Sequence, residues 1–167
     1  MPEKETLERA RQDKRAGKAS STQAGEFVRE EMHHIREGKH GARSTKQAIA
    51  IGLSKARRSG VKLGAPPASA KSTTKRSAAA ATKASGSRKK KSARRSRAAT
   101  QALRREERSA ASPKSLARQG RETTRRRSAA SRRASARRAM RTKGPQGRRA
   151  AAKKASQTRR RRRQQAA

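Results

Sequence analysis

The chain has 167 residues, with 50 Lys or Arg against 11 Asp or Glu, and a net charge of +39. The absence of cysteine excludes disulfides, thiol nucleophiles and thiolate-held zinc. Backbone ordering costs roughly 1–2 kcal/mol per residue, and only 14 residues are Val, Ile, Leu, Met or Phe, so composition predicts a mostly disordered protein.

Large apolar residues are not spread evenly. Residues 1–64 hold 11 of the 14, with 15 Lys/Arg and 8 Asp/Glu. Residues 65–167 hold Leu103, Leu116 and Met140, with 35 Lys/Arg and 3 Asp/Glu. The predicted fold is a small all-α N-terminal helical hairpin with a long basic low-complexity tail, joined at Ala65-Pro66-Pro67.

Residues 1–19 read as a charged helix over 3–16 that frays, because Leu7 is its only large apolar side chain. Residues 20–64 read as the hairpin. Ser20-Ser21-Thr22-Gln23 has capping-box spacing. Ala24, Phe27, Val28, Met32 and Ile35 then follow a 3.6-residue period, predicting a helix over 22–37 that Gly38 stops. Ser44-Thr45-Lys46-Gln47 repeats the cap pattern, and Ile49, Leu53 and Ala56 predict a second helix over 45–59. Val61 and Leu63 fold back on the pair. A hairpin of this size is marginal alone. Two states stay open: a homodimer, or another protein partner, held through Phe27, Met32 and Ile51, and a partly molten monomer. Residues 65–167, rich in Ala, Ser, Lys and Arg, read as a disordered tail in which helix forms only when a polyanion neutralises its charge.

The longest uncharged, fairly apolar stretch, Gln47–Ser54, is too short to cross a bilayer. The N-terminal MPEKETLERA lacks the apolar run of a secretory signal. No membrane partner is expected. A cationic, membrane-active role would need bulky apolar anchors, and the tail has three.

Catalysis finds no support, and neither enzymatic activity nor a cofactor is expected. His33, His34 and His40 lie near Glu30, Glu31 and Glu37, but adjacent His33 and His34 diverge by about 100° on a helix and no HExxH spacing is present. No metal is expected. Gly38-Lys39-His40-Gly41-Ala42-Arg43-Ser44-Thr45 lacks phosphate-loop spacing. The start of the second helix nevertheless offers free N–H groups among Lys39, Arg43, Ser44, Thr45 and Lys46. Two readings stay open there, a docked backbone phosphate or a solvated basic loop. Arg57 and Arg58, at the far end of that helix, join the nucleic-acid contacts. In the tail these are Arg88, Lys89, Lys90 and Lys91, then Arg125, Arg126, Arg127, Arg132 and Arg133, then Arg159, Arg160, Arg161, Arg162 and Arg163. Arginine binds phosphate bidentately. The tail has no aromatic for stacking on unpaired bases, which favours duplex.

Residues 20–64, above all Ser44–Arg58 (STKQAIAIGLSKARR), resemble an uncharacterised family of small basic bacterial proteins labelled DNA-binding. The tail resembles those of linker histones and of bacterial histone-like proteins, although the chain has no counterpart of the winged-helix domain of eukaryotic linker histones. The resemblance implies a bacterial, nucleoid-associated, cytoplasmic protein. The expected function is sequence-independent binding, compaction or bridging of duplex DNA. The alternative is an RNA-binding or ribosome-associated basic protein.

Overall fold

A computed structural model describes residues 2–85 and 92–165, in which every regular element is a helix. In chain order these are α1 Lys4–Arg15, α2 Ser20–Arg36, α3 Thr45–Arg58, α4 Ser72–Lys83, α5 Ala93–Arg104, a 3-10 turn Ser109–Ala111, α6 Pro113–Arg126 and α7 Ala129–Gln164. Two compact units arise, Met1–Gln119 and Gly120–Ala167.

The expectation of a mostly disordered chain is therefore wrong. The described residues beyond Gly64 form four α-helices. Two physical reasons account for the error. Ala, Arg, Lys and Gln are the strongest helix formers, and they dominate these segments. Counting only large apolar side chains also left out alanine, which closes helix contacts by its smallness. Ala78, Ala81, Ala110 and Ala111 are all buried.

In the first unit α2 packs between α1 and α3. Phe27, Ala24, Ala10 and Ala56 form one apolar cluster, with Leu7, Leu53, Val61 and Leu63 against it. The helix predicted to fray is docked: Thr6 is fully buried, and Arg9 Nε donates to Glu26 Oε2 at 2.9 Å. The α2–α3 crossing is close because Gly52 has no side chain; a Cβ there would stand 2.8 Å from Val28 Cα. Ala78 and Ala81 are the buried residues of α4, which packs on α3.

The two cap patterns behave differently. Ser44 Oγ accepts from Gln47 N–H at 3.2 Å, and Gln47 Oε1 accepts from Arg43 N–H at 2.9 Å, so that cap is reciprocal. No side chain caps α2, whose first residue is Ser20 itself. Gln23 Nε2 instead donates to the Lys18 carbonyl at 2.9 Å.

The second apolar cluster contains residues that the sequence placed in the tail. Met32, Ile35, Ala42 and Ala48 are buried with Ala110 and Ala111, and Val28, Ile49 and Leu116 pack against them. The segment from Leu103 to Ala111 lies as a strap over the end of the α2–α3 pair. Gly41 N–H donates to Leu103 O at 2.8 Å, and Ala42 N–H to Glu107 O at 3.0 Å. Thr45 Oγ1 donates to Ala110 O at 2.7 Å, and Arg36 Nε to Ala111 O at 3.0 Å. Phe27 and Met32, considered above as a dimer surface, are buried inside the unit.

In the second unit Ser128 Oγ caps α7 by accepting from Ser131 N–H at 3.1 Å. Gly144, at φ +61° and ψ 179°, breaks the helical path just before Pro145.

Gly41 tests the strap. A Cβ on Gly41 would lie 1.8 Å from the Glu106 carbonyl oxygen, a backbone atom that moves only if the strap lifts. In Gly41→Ala, amide exchange at Ala42 and Ala111 is expected to accelerate, while amides in the middle of α2 stay protected. Unchanged exchange at Ala42 would count against the strap. Gly52→Ala acts on the helix crossing instead and is expected to cost about 1–3 kcal/mol in urea unfolding, as overpacking does.

Candidate nucleic-acid interface

The expected phosphate-binding group at the start of α3 is brought together only in part. Arg43 and Lys46 are exposed. Ser44 faces its own helix as the cap. Thr45 is buried, and its hydroxyl is directed to Ala110 rather than outward. Lys39 lies between two carboxylates, Glu37 at 3.0 Å and Glu3 at 3.3 Å. The carboxylates of Glu37 and then Glu3 hold its ammonium above the ordinary lysine value. Reciprocally, Lys39 and then His33 hold Glu37 below the usual carboxylate range. A phosphate there would have to displace these partners. The three cations of the group, Lys39, Arg43 and Lys46, are all exposed, and Lys39 is held between the two carboxylates. Arg57 is half-buried and donates to the Gly64 carbonyl at 3.2 Å, and Arg58 is exposed.

The tail arginines are displayed more openly. Arg88, Lys89, Lys90 and Lys91 lie outside the described residues. Arg125 and Arg126 end α6, where Arg126 pairs with Glu122. Arg127 joins α6 to α7 and donates to Ser131 and Ser135. Arg132 and Arg133 stand on the first turn of α7, and Arg159, Arg160, Arg161, Arg162 and Arg163 on its last, all exposed. Five consecutive residues at about 100° per residue leave no side of the helix without a guanidinium. Over its 36 residues α7 carries 15 Lys or Arg and no Asp or Glu. Apart from Gly144 and Gly147, every described residue of α7 is exposed. Met140 is its one large apolar side chain, and it is 52% exposed. Such a helix has no apolar face to dock on a protein core.

A second group is buried and ionic; sequence reasoning named its Glu30, Glu31, His34 and His40 but missed Lys55 and the burial. Glu30 and Glu31 on α2 face Lys55 on α3. Lys55 Nζ is 2.7 Å from Glu31 Oε2 and 3.2 Å from Glu30 Oε1. Burial pulls the Lys55 ammonium down, but Glu31 and then Glu30 outweigh it and hold the pKa above the ordinary value. Glu30 Oε2 also accepts from Glu3 N–H at 3.1 Å. His40 Nε2 stands 3.3 Å from Glu31 Oε1. His34 meets Glu3 Oε1 at 2.8 Å, and its ring lies edge-on to His40 with centroids 6.1 Å apart. The predicted divergence of the adjacent histidines is seen: His33 is exposed and pairs with Glu37 at 2.9 Å, away from the cluster. One sequence signal marked this group. Glu31 and His34 are three residues apart, hence on one helix face, in a stretch otherwise patterned for burial.

A family model described as a family of unknown function, DUF6496, matches residues 11–67. That stretch spans α2, α3, Lys55 and the two histidines, and it excludes the strap and α7. No curated protein and no solved structure matches the chain.

Removing one member of a buried ion pair leaves an uncompensated charge, at a cost of roughly 3–5 kcal/mol. Lys55→Met is expected to lower the unfolding free energy by that order in urea titration. Arg58→Met, on the same helix but exposed, should change it by no more than about 0.5 kcal/mol. Equal losses in the two variants would mean that the buried carboxylates do not depend on Lys55.

Proposed function

We propose that the protein binds duplex nucleic acid without sequence preference, as a nucleoid-associated protein that neutralises DNA phosphates and draws segments together. The observation that carries this reading is α7, a helix with 15 cations, no anion and no apolar face. Its charge has no counterpart within its own element, and a polyanion supplies one. Each neutralised phosphate releases condensed counterions, which makes affinity charge-driven and salt-dependent. Both compact units are basic: residues 1–119 hold 31 Lys/Arg against 10 Asp/Glu, and residues 120–167 hold 19 against 1. Two basic units in one chain suit bridging between duplex segments. The contribution of the α3 start is small in this reading, since Lys39 is held by Glu37 and Glu3 and the Thr45 hydroxyl is turned to Ala110. No described helix is long and apolar enough to cross a membrane.

The experiment is a salt series on the full chain with duplexes of unrelated sequence and with structured RNA as competitor. Affinity for duplex should fall steeply between low and physiological salt and should not follow base sequence. Replacing Arg159–Arg163 with Gln should reduce the magnitude of the log–log slope by up to roughly 4–5, about 0.9 per lost phosphate contact. Arg43→Gln with Lys46→Gln should reduce it by no more than about 2. A slope unaffected by the five-Gln replacement would remove α7 from the interface. Preferential capture by structured RNA would turn the reading to an RNA-binding protein.

A further inference from the structure

We propose that Glu31, His34 and His40 bind one divalent transition-metal ion of the zinc class. One donor atom from each of the three lies within 4.8 Å of the others.

The argument begins with Glu31. Its side chain is 1% exposed, and neither carboxylate oxygen has a partner at proper hydrogen-bond angles. Lys55 answers Oε2 as a point charge at 2.7 Å. Oε1 faces His40 Nε2. The other nitrogen of that ring, Nδ1, lies 3.0 Å from the Gly41 carbonyl oxygen. A carbonyl only accepts, so Nδ1 carries the proton and donates it. Nε2 of the same ring is directed at Glu31 Oε1, and a positive charge, a proton on Nε2 or a metal ion, is what can stand between the two.

One donor pair has the spacing that a metal sets, and a His34 nitrogen lies within 4.8 Å of both. Donor atoms about 2.0–2.1 Å from a tetrahedral zinc ion stand about 3.3–3.4 Å from each other. His40 Nε2 and Glu31 Oε1 are 3.3 Å apart. A histidine whose far N–H is donated to a backbone carbonyl is the usual arrangement around a ligating ring, because it fixes tautomer and orientation. Two imidazoles and one carboxylate form an established zinc donor set that leaves one position for water, and imidazole favours zinc, copper, nickel and iron over magnesium or calcium. Lys55 does not compete for the same oxygen. Of the three residues, His34 also lines a surface cleft, together with Glu3, Glu30, His33, Glu37 and Lys39. The cleft's four carboxylates, Glu3, Glu5, Glu30 and Glu37, face three cations, Arg9, Arg29 and Lys39.

The ion would tie the loop carrying His40 to the last turns of α2, next to where Gly41 and Ala42 receive the strap. Binding would therefore stabilise the first unit. The site is independent of the nucleic-acid reading, and either can fail alone.

The test uses the full chain, stripped of nucleic acid in high salt and of metal by chelator. Cobalt(II) serves as the optical probe, with zinc(II) as competitor. The expected result is one Co2+ per chain with the visible absorption of a low-coordinate nitrogen–oxygen site. Stoichiometric Zn2+ should bleach it, and Zn2+ should raise the melting temperature. His33→Gln, outside the cluster, should behave as the parent. His34→Gln and His40→Gln should bind at least about 100-fold more weakly, beyond the range for loss of an outer-shell partner. Glu31→Gln keeps shape while removing the anionic donor and should lose binding likewise, which covers the case of an unfolded histidine variant. Absence of stoichiometric Co2+ uptake by the parent chain overturns the proposal. So does equal binding by His33→Gln and a folded Glu31→Gln or His40→Gln.

Discussion

Two adjacent carboxylates, Glu30 and Glu31, are carried into the interface between α2 and α3, and the first unit is arranged around answering them. Lys55 reaches across from α3, His40 returns from the loop, and the Glu3 backbone N–H arrives from the start of the chain. Each answer fixes an element. Lys55 sets the register of α3 on α2, His40 sets the loop, and Glu3 sets the entry into α1. Ion pairs of this kind contribute little net stability compared with apolar packing, but they penalise every arrangement that leaves a carboxylate alone. With so few bulky side chains available, that penalty has much of the task of choosing one packing among several.

Alanine supplies the rest. The helices approach one another at Gly52, Ala48, Ala56, Ala78 and Ala110, where short side chains let backbones come close. Contacts of this kind need no aromatic filler, and Phe27 serves the whole α1–α2–α3 junction. The same composition that makes the exposed helices basic, alanine between lysines and arginines, also makes the buried ones pack. In α7 the alanines meet nothing and act only through helix propensity. In the strap they close a core. The difference lies in what surrounds them.

The N-terminal half of the fold was legible because it follows ordinary patterns. The apolar period of Phe27, Met32 and Ile35 marks α2 to within two residues at its start. Ser44 and Gln47 mark the beginning of α3, and Gly38 the end of α2. The strap was not legible, since Ala110 and Ala111 carry no periodic signal and their partners, Thr45 and Ile35, lie more than sixty residues away. Glu106 and Glu107, two acids in a basic stretch, gave no sign of docking. Of the candidate site, the exposed arginines were readable as charge, whereas the fates of Lys39 and Thr45 depended on Glu3 and Ala110, which no local window contains. The cluster was set aside because His33 and His34 diverge; the structure keeps that divergence, but it brings His34 beside His40 and buries Glu31 against Lys55.

The strap also sets an order of events during synthesis. Helices α1, α2 and α3 have all their mutual partners once residue 64 has emerged, and local contacts of this kind form early. Met32, Ile35, Ala42 and Ala48 have no cover until Ala110 and Ala111 follow. Between those two moments the ribosome makes some forty-seven further residues, among them α4 and α5, while an apolar end of the unit faces solvent. At roughly 5–20 residues per second that interval lasts seconds, long against helix formation. The nascent chain thus passes through a stage in which its basic segments are already out and its core is still open at one end, and the same peptide that adds positive charge is the one that closes it.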